Sequence, residues 1–594
     1  MGLAALAGHR GWGMVDGASI LRVGARAWRR ALRALPLALC LFPLALSAQT
    51  RLVEILSADN FDGTSGESGD VVELVGNVQL RQDTTDLRSD RAVYYQTLGE
   101  VVLTGSVEIV SGQDTLTADV VEYDSNTKVA EARGAVRIGD GESTLFAPFV
   151  TYDSQAEVSA FEGGGRILHE SAVITAPSGT YSSARRFARL DGPVVLKDSS
   201  GTLTADRGTY DVDVRRADFA GDVAIRRPDA SVDADSVVYF RRTERARGYG
   251  RVVLEQIGTG GAGSNGSEGA PADSTRRTFL FGELLLFDGD DETASMRGDD
   301  RAEPLLVTLR ADSARVDTTV LRAPRIDAAR LVVGADTSTV LTAAGGARLW
   351  GQRLAAVADS ARFVRSRLPD STEVDRLALF GPPRPSVWAD GAQLTGDTLR
   401  ARTLDGAVDS LSVLGTAFAA RLDSTLGRLQ QIAGRQMAGL FDGDALRRLS
   451  VWSNAQAITF RANAAGQLDG AYEVSADSMA FLFRESELRD VLIYRGIEST
   501  AYGGQNAPES ARLPGFAYAA DGAPTKAGLL GEGWEVGWLE RYGPRFFGEP
   551  APPDPGPPAS VDSADDLAPD TTEVGEGAPS AGEPPAPTDV GDTD

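Results

Sequence analysis

The clearest pattern in the sequence is a glycine that recurs every 29 residues along the first half of the chain. Seven glycines keep this spacing without a slip: Gly76, Gly105, Gly134, Gly163, Gly192, Gly221 and Gly250. A tyrosine follows 18 residues after each of the first six: Tyr94, Tyr123, Tyr152, Tyr181, Tyr210 and Tyr239. A fixed period of this length predicts stacked units, each of which completes its hydrophobic core only against its neighbours.

Within each unit, apolar and polar residues alternate with the period of a β-strand. One strand carries apolar residues two and four positions after the glycine, and a second strand begins eleven positions after it. The fourth unit departs from this pattern, with Gly165 before Ile167. We expect the alternating residues to share one inward face, where they are the candidate ligand contacts: Val78, Leu80, Val107, Ile109, Leu116, Val136, Ile138, Leu145, Ile167, Val194, Leu196, Val223 and Ile225.

The tyrosine lies at an even offset from the glycine, whereas the apolar residues of the same strand lie at odd offsets. The strand must therefore kink or bulge between them if both are to reach one face. The predicted corner is one position in each unit: Asp90, Asp119, Pro148, Pro177, Asp206 and Asp235. A glycine in mid-strand likewise predicts a sharp bend or a close backbone approach. A sheet folded over in this way has two apolar inner faces and forms a trough.

The second half of the chain repeats parts of this pattern with irregular spacing. Ala-Asp-Ser triplets at 311–313, 358–360 and 476–478 match the triplet at 234–236, and much of the segment 431–454 is echoed 42 residues later. We therefore predict a second, less regular run of strands over 279–505. The composition of Arg421 to Ala445 leaves a helix open as an alternative there.

The resulting division of the chain has six parts. We predict a signal peptide at 1–48, a β module at 49–257, a flexible linker or insert at 258–278, a second β module at 279–505, an aromatic-containing extension at 506–547 and a disordered acidic, proline-rich tail at 548–594.

The first 48 residues have the features of an export signal. Arginines precede an apolar run from Ala34 to Leu46, and small residues follow just before Gln49. The run is shorter than the roughly 20 residues of a membrane-spanning helix, which favours cleavage over retention. Cys40 follows the bulky Leu39, which disfavours lipid attachment, and Met14 is an alternative start.

Charge and composition exclude several classes of function. The chain has 84 acidic and 59 basic residues and a net charge of −25, which becomes −30 without the six arginines and one aspartate of residues 1–48. This sign disfavours nucleic-acid binding, which depends on Lys and Arg neutralising phosphates. Beyond residue 48 the chain has no cysteine and one histidine, His169. We therefore predict no catalytic residue, no metal site and no cofactor.

Two motifs resemble the OstA/LptA family over roughly residues 52–254: Thr117-Ala118-Asp119-Val120-Val121-Glu122-Tyr123-Asp124 and Leu74-Val75-Gly76-Asn77-Val78. The second half is similar to longer OstA-like proteins. The resemblance implies an all-β, repeat-built folded sheet, a β-jellyroll, in two successive modules. It also implies that the groove accepts the acyl chains of lipid A and that such domains join end to end in a periplasmic bridge between the membranes.

On this basis we expect a periplasmic protein of lipopolysaccharide transport and outer-membrane biogenesis rather than an enzyme. Its expected partners are lipopolysaccharide and other OstA-like transport proteins, with which open edge strands would pair. An association with inner- or outer-membrane partners is left open. Two alternatives also stand: a parallel β-helix enzyme that acts on polysaccharide, and a structural scaffold with a dry core that binds no ligand.

Overall fold

The computed structural model describes the following residues: 53–66, 69–169, 171–199, 201–228, 230–259, 275–299, 302–312, 315–333, 336–368, 372–389, 391–443, 445–484, 487–507, 511–519 and 521–531. The predicted signal peptide, most of the predicted linker, the aromatic cluster from Trp534 to Phe547 and the predicted tail lie outside these residues.

The described residues are almost entirely β-strand, as the alternation of apolar and polar positions predicted. The strands of the first half are β1 (Glu54–Ser57), β2 (Asn60–Gly66), β3 (Gly69–Gln82), β4 (Thr85–Tyr95), β5 (Glu100–Ser111), β6 (Asp114–Asp124), β7 (Val129–Gly139), β8 (Ser143–Asp153), β9 (Val158–Glu162), β10 (Gly165–His169), β11 (Ala172–Ala176), β12 (Ser178–Ser182), β13 (Phe187–Asp198), β14 (Gly201–Asp211), β15 (Arg216–Arg226), β16 (Ala230–Phe240) and β17 (Arg245–Thr259).

The second half continues in the same way, and its few helical turns are short. Its strands are β18 (Thr275–Asp288), β19 (Thr293–Arg297), β20 (Leu305–Asp312), β21 (Arg315–Arg322), β22 (Arg325–Val333), β23 (Asp336–Trp350), β24 (Leu354–Arg367), β25 (Glu373–Phe380), β26 (Ser386–Ala389), β27 (Ala392–Thr395), β28 (Thr398–Leu404), β29 (Ala407–Asp423), β30 (Arg428–Asp442), β31 (Ala445–Ala462), β32 (Leu468–Arg484), β33 (Glu487–Tyr494) and β34 (Glu498–Gly503). The helices are two 3₁₀ turns, Arg241–Thr243 and Gly504–Asn506, and the α-helix α1 (Lys526–Gly531). No helix among the described residues is long and apolar enough to cross a membrane.

The strands form one antiparallel meander in which each pass of the chain pairs with the next. Some passes are divided into two short strands that pair with the two halves of one neighbour, as β1 and β2 do with β3. The pairings along the first half are all antiparallel, for example β5 with β6 and β6 with β7. The alternative of a parallel β-helix is therefore wrong. The alternative of a helix at Arg421 to Ala445 is also wrong, because β29 and β30 pair there as a hairpin.

The strands of the first half bend along a line marked by the repeated glycine on one strand and the corner residue on the next. In β3, Val75 pairs with Arg91 and Val78 pairs with Ser89, so Gly76 and Asn77 together lie opposite the single residue Asp90. Both bulge residues have positive φ, +80° and +48°. A two-against-one bulge of this kind bends a strand and increases its twist. A bend at Asp90 is thus confirmed, but the predicted bulge in the tyrosine strand is wrong: the extra residue lies on the neighbouring strand that carries the glycine.

The corner aspartate explains why the bulge residue is glycine. A Cβ placed on Gly105, whose φ is +74°, would lie 2.5 Å from Oδ2 of Asp90 on the neighbouring strand. In the next unit the carboxylate of Asp119 lies over Gly134 in the same way and accepts a hydrogen bond from the backbone N–H of Ala135 at 3.2 Å. Only a residue without a side chain fits both this backbone conformation and this close approach. The aspartate and the glycine therefore repeat together.

The line of bulges folds the sheet into two arms whose inner faces share one core. The first arm ends in the hairpin turns at 83–84, 112–113 and 140–142, and the second arm ends in the turns at 96–99 and 125–128. One hydrophobic cluster joins both arms: it includes Leu80, Leu87 and Ile109 from the first arm and Tyr94, Leu103 and Tyr123 from the second. The mouth of the fold is where the two rows of hairpin turns face each other.

The hydrogen-bonded ladder continues into the second half, since Thr259 of β17 pairs with Thr275 of β18. There the outer face is also apolar, and it is covered by the end of the described chain. Phe279 and Phe281 pack with Leu529 and Leu530 of α1, and a further outer cluster includes Phe418 and Leu513. The division of the strands into two modules stays a prediction.

The bulge can be tested with two glycine-to-alanine substitutions. Gly112 has φ +61° but no atom within 4 Å of its Cβ position, so Gly112→Ala should lower the free energy of unfolding by about 1 kcal/mol through backbone strain alone. Gly105→Ala adds the clash with Asp90 and should cost about 3 kcal/mol. Urea unfolding of both variants measures the difference. Asp90→Ala in the Gly105→Ala background should recover part of the loss, and equal losses for the two single variants would contradict the role given to the aspartate.

Candidate functional site

All thirteen residues predicted for the inward face point into the core between the arms. Ten are buried members of the central cluster, and Ile167, Leu196 and Ile225 are partly buried residues packed against it. The inward orientation is therefore as the alternation predicted. Lipid contact at these residues stays a prediction.

Burial along the trough is uneven, and this divides the thirteen residues into two groups. The position four residues after the repeated glycine lies near the mouth, and it is 1% exposed at Leu80 and at Ile109 and 7% exposed at Ile138. From Ile167 onwards the same position is half-buried, at Leu196 and Ile225 as well. The positions nearer the fold line stay buried throughout: Val78, Val107, Val136, Val194 and Val223. The trough is thus sealed in its first units and opens at its mouth from the fourth.

Hydrogen bonds across the mouth seal the first units, and we call them the rim clasps. Tyr123 of the second arm donates from Oη to Gln82 Oε1 of the first arm at 2.6 Å. One unit later Tyr152 donates to Asp114 Oδ2 at 3.0 Å, and one unit later again Tyr181 donates to Asp140 Oδ2. Each rim clasp joins residues about 40 positions apart in sequence. The repeated tyrosine therefore holds the two arms together.

Other polar contacts support the rim clasps. Lys128 Nζ lies 2.5 Å from Asp83 Oδ2, beside the first clasp. Ser183 donates from Oγ to Asp114 Oδ2 at 2.6 Å, so that this carboxylate is held by two hydroxyls. Arg186 lies 2.5 Å from Glu142, next to the third clasp. The Ser183 hydrogen bond to the carboxylate can contribute about 1.5–3 kcal/mol, whereas the partly exposed ion pairs contribute at most about 1 kcal/mol each. Together these contacts add to the stability of the rim clasps.

The rim clasps raise the pKa values of their tyrosines and shift those of their two carboxylates in opposite directions. Burial raises the pKa of the Tyr123 hydroxyl to about 12, and burial together with the charge of Asp114 raises that of Tyr152 further. Burial also raises the pKa of Asp114, and its hydrogen bonds from Ser183 and Tyr152 offset this only in part. Burial would raise the pKa of Asp140 too, but hydrogen bonds from Tyr181 and from backbone amides outweigh it and leave this pKa lowered. At neutral pH the tyrosines therefore keep the protons that they donate.

The series of rim clasps ends at the fourth unit, where a histidine occupies the rim. His169 lies 29 residues after Asp140 and packs its ring against Tyr210, with the ring centroids 5.8 Å apart and tilted by 60°. Ser143 Oγ lies 2.9 Å from His169 Nδ1. Among the described residues, the buried Tyr210 Oη has no hydrogen-bond partner. The hydrogen bond that seals each of the earlier units is thus replaced here by a ring contact.

A cleft opens at this point between the arms. The cleft is open to solvent rather than enclosed, and the roughly 680 Å³ of space that it spans includes solvent outside the protein. Its apolar lining residues are Ile138, Leu145, Ile167, Ile174, Ala188, Leu190 and Val212, and its polar lining includes Asp114, Asp140, Ser143, Tyr152, Glu157, Ser159, His169, Tyr181, Ser183 and Tyr210. Of the thirteen predicted residues, Ile138, Leu145 and Ile167 line this cleft.

In the second half, an ion pair between Arg276 and Glu373 crosses between the arms. Arg276 of β18 forms a two-pronged ion pair with Glu373 of β25, at 2.7 and 3.1 Å, although 97 residues separate them. Arg365 contacts Asp375 at 2.8 and 2.9 Å on the same inner face. Burial would raise the pKa of Glu373, but Arg276, Arg365 and Arg310 outweigh it and leave this pKa lowered. The Arg276–Glu373 ion pair therefore holds the two arms of the second half together at this position.

The polar residues of the site were not predicted from the sequence. The signal was present in the periodicity, because Gln82, Ser111, Asp140, His169 and Asp198 also repeat every 29 residues. Each lies 41 residues before a repeated tyrosine. The aliphatic residues Leu190 and Val212 of the second arm were also missed, because Leu190 precedes the repeated glycine and Val212 follows the repeated tyrosine, whereas the predicted face was built from positions after the glycine.

The comparisons with known proteins agree with the motifs. Residues 50–206 match the model of a family described as OstA-like protein, which confirms the resemblance over a segment that ends within β14. Among solved structures, the chain is similar to LptH of Pseudomonas aeruginosa, described as the LptA homologous periplasmic component of the conserved lipopolysaccharide transport device. The two are 18% identical over 18% of this chain and 82% of that chain, with a TM-score of 0.17. No curated protein matches the chain.

The two rim carboxylates should respond to pH in opposite ways. The folded-state pKa of Asp140 is lowered, so its stabilising contribution is present above the ordinary value of 3.8 and is lost as the pH falls through the lowered value. Asp140→Asn should therefore reduce the free energy of unfolding by about 1 kcal/mol at pH 7 and by less in acid. Urea unfolding between pH 3 and pH 7 measures this.

Asp114→Asn provides the matched comparison. The folded-state pKa of Asp114 is raised, so its ionisation becomes a cost as the pH rises above 3.8 through the raised value. Compared with the unchanged protein, Asp114→Asn should therefore lower the free energy of unfolding least at pH 7. Parallel pH profiles for the two variants would contradict the assigned directions.

Proposed function

We propose that this protein takes part in lipopolysaccharide transport in the periplasm, where it binds the acyl chains of lipid A in the open section of its trough. The match of residues 50–206 to the OstA-like family supports the general assignment. The observation that carries the acyl-binding part is the change in burial along the mouth, from sealed at Leu80 and Ile109 to half-buried at Ile167, Leu196 and Ile225.

The open section suits an acyl chain on energetic grounds. Removing a methylene from water contributes about 0.8 kcal/mol, so a dozen buried methylenes would contribute on the order of 10 kcal/mol before the cost of ordering the chain. The walls around Ile138, Leu145 and Ile167 provide apolar surface for this purpose. No charged clamp on the chain is required.

The sealed section has a different role in this proposal. Val78, Leu80, Val107, Ile109 and Leu116 are at most 2% exposed, as in a dry protein core. The dry scaffold and the lipid groove are then two parts of one trough, and the first units stabilise the section that binds.

The proposal also covers partners, through the two ends of the sheet. Among the described strands, β1 and β2 at one end and β33 and β34 at the other pair on one side only. Leu488, Val491 and Leu492 of β33 are exposed at the second end. Unpaired strand edges favour the addition of a further strand, so these ends would pair with other transport domains of this type.

Site-specific photocrosslinking in cells tests the acyl-binding proposal. A photoreactive residue at Ile167, Leu196 or Ile225 should form lipopolysaccharide adducts, because these side chains are partly open to the mouth. Arg166 and Lys197 are the matched controls, since each is exposed and adjacent in sequence to an inward position but points to the other face. Adducts are read by immunoblotting for lipopolysaccharide on the purified protein.

The expected pattern is adducts at the three inward positions and none at the two controls. If folded protein gives no adduct at any of the three inward positions, the trough does not carry acyl chains. Equal adducts at Arg166 and Lys197 would mean that lipid contacts the outer surface instead.

A further inference from the structure

We propose that the hydroxyl of Tyr210 donates a hydrogen bond to an oxygen of the acyl linkage, an ester or amide carbonyl, of a lipid held in the cleft. This inference rests on the proposed function and names the chemistry of its ligand. The observations behind it are the position of Tyr210 in the repeat, the burial of its Oη and the charge of the surrounding cleft.

Tyr210 differs from its counterparts in the sealed units. Tyr123, Tyr152 and Tyr181 each donate to a side chain of the opposite arm, Gln82, Asp114 and Asp140 respectively. Tyr210 occupies the same position of the repeat, yet its buried Oη has no hydrogen-bond partner among the described residues.

Within the part of the chain that the structure describes, Tyr210 Oη lacks an acceptor because His169 occupies the rim position opposite it. The position that holds Asp140 in one unit holds His169 in the next, and His169 packs its ring against that of Tyr210 rather than accepting its proton. An unsatisfied buried donor is costly, and a ligand acceptor would relieve that cost. The hydroxyl is therefore available to a ligand at the one rim position of the cleft where the clasp is absent.

The apolar surroundings restrict the ligand to a molecule that is mostly hydrocarbon. Ile167, Ile174 and Val212 line the cleft together with Tyr210. A ligand that fills this space and also satisfies the hydroxyl needs an aliphatic chain with an acceptor oxygen at one place. An acyl ester or acyl amide has this composition.

The charge of the cleft excludes the corresponding free acid. Asp114, Asp140 and Glu157 line it, and none of the described lining residues is a lysine or an arginine. A fatty-acid carboxylate would be repelled by these groups and would lose its hydration without gaining a cationic partner. A neutral linkage oxygen avoids both costs, so the cleft should prefer the ester to the acid.

The test measures displacement of the fluorescent dye N-phenyl-1-naphthylamine from the purified protein. The probes are methyl decanoate, tridecane, which has the same number of non-hydrogen atoms, and decanoate. Methyl decanoate should bind more tightly than decanoate. Tyr210→Phe should weaken methyl decanoate about three- to tenfold, as expected for one neutral hydrogen bond, and should leave tridecane unchanged within about twofold.

Tyr239→Phe is the matched control, because Tyr239 occupies the same position one unit later and does not line the cleft. It should leave the affinities for all three probes unchanged. The melting temperature of Tyr210→Phe without ligand should equal or exceed that of the unchanged protein, since the substitution removes only an unsatisfied hydroxyl.

The outcomes separate the two proposals. If the unchanged protein binds none of the probes, the proposed function itself fails. If it binds methyl decanoate and Tyr210→Phe binds it equally well, the hydrogen bond is refuted while acyl binding stands. Tighter binding of decanoate than of methyl decanoate would refute the preference for a neutral linkage.

Discussion

The fold depends on one close contact, in which an aspartate or a proline on one strand lies over a glycine on the next. The glycine has a positive φ and no side chain, so the strand can bulge where the neighbouring carboxylate approaches. Repeated along the chain, this contact creates a straight line of bends. A sheet bent along such a line has two inner faces, and the alternating aliphatic residues of both faces pack into one core.

A second contact, at the opposite edge of each arm, decides whether that core is closed. Where the rim offers an acceptor, as at Gln82 or Asp140, a tyrosine from the other arm bonds to it and the aliphatic residues beneath are buried. Where the rim offers His169, the ring of Tyr210 packs against it at a tilt instead, and a cleft lies between the arms. The residue at this position of the repeat therefore decides whether the tyrosine closes a hydrogen bond across the mouth.

Much of the fold could be predicted because its rules are local. The glycine period, the alternation after Gly76 and the offset of Tyr94 each concern residues on one strand or on adjacent strands. The bend at Asp90 followed from counting positions between them. The candidate site was harder to predict. Leu80 and Ile167 both lie four residues after the repeated glycine, yet one is sealed and the other is half-buried, because burial depends on the opposite arm and not on the strand that carries the residue.

The sequence by itself determined the all-β architecture, the unit length, the line of bends and which side chains point inward, because strand periodicity and backbone conformation act over a few residues. Only the tertiary structure decided where the trough is open. The pairs that close it, such as Tyr123 with Gln82 or Arg276 with Glu373, lie 41 and 97 residues apart. The repeat keeps a constant spacing of 41 residues between the rim position and a tyrosine, but whether that spacing brings the two side chains face to face depends on the twist accumulated over several strands.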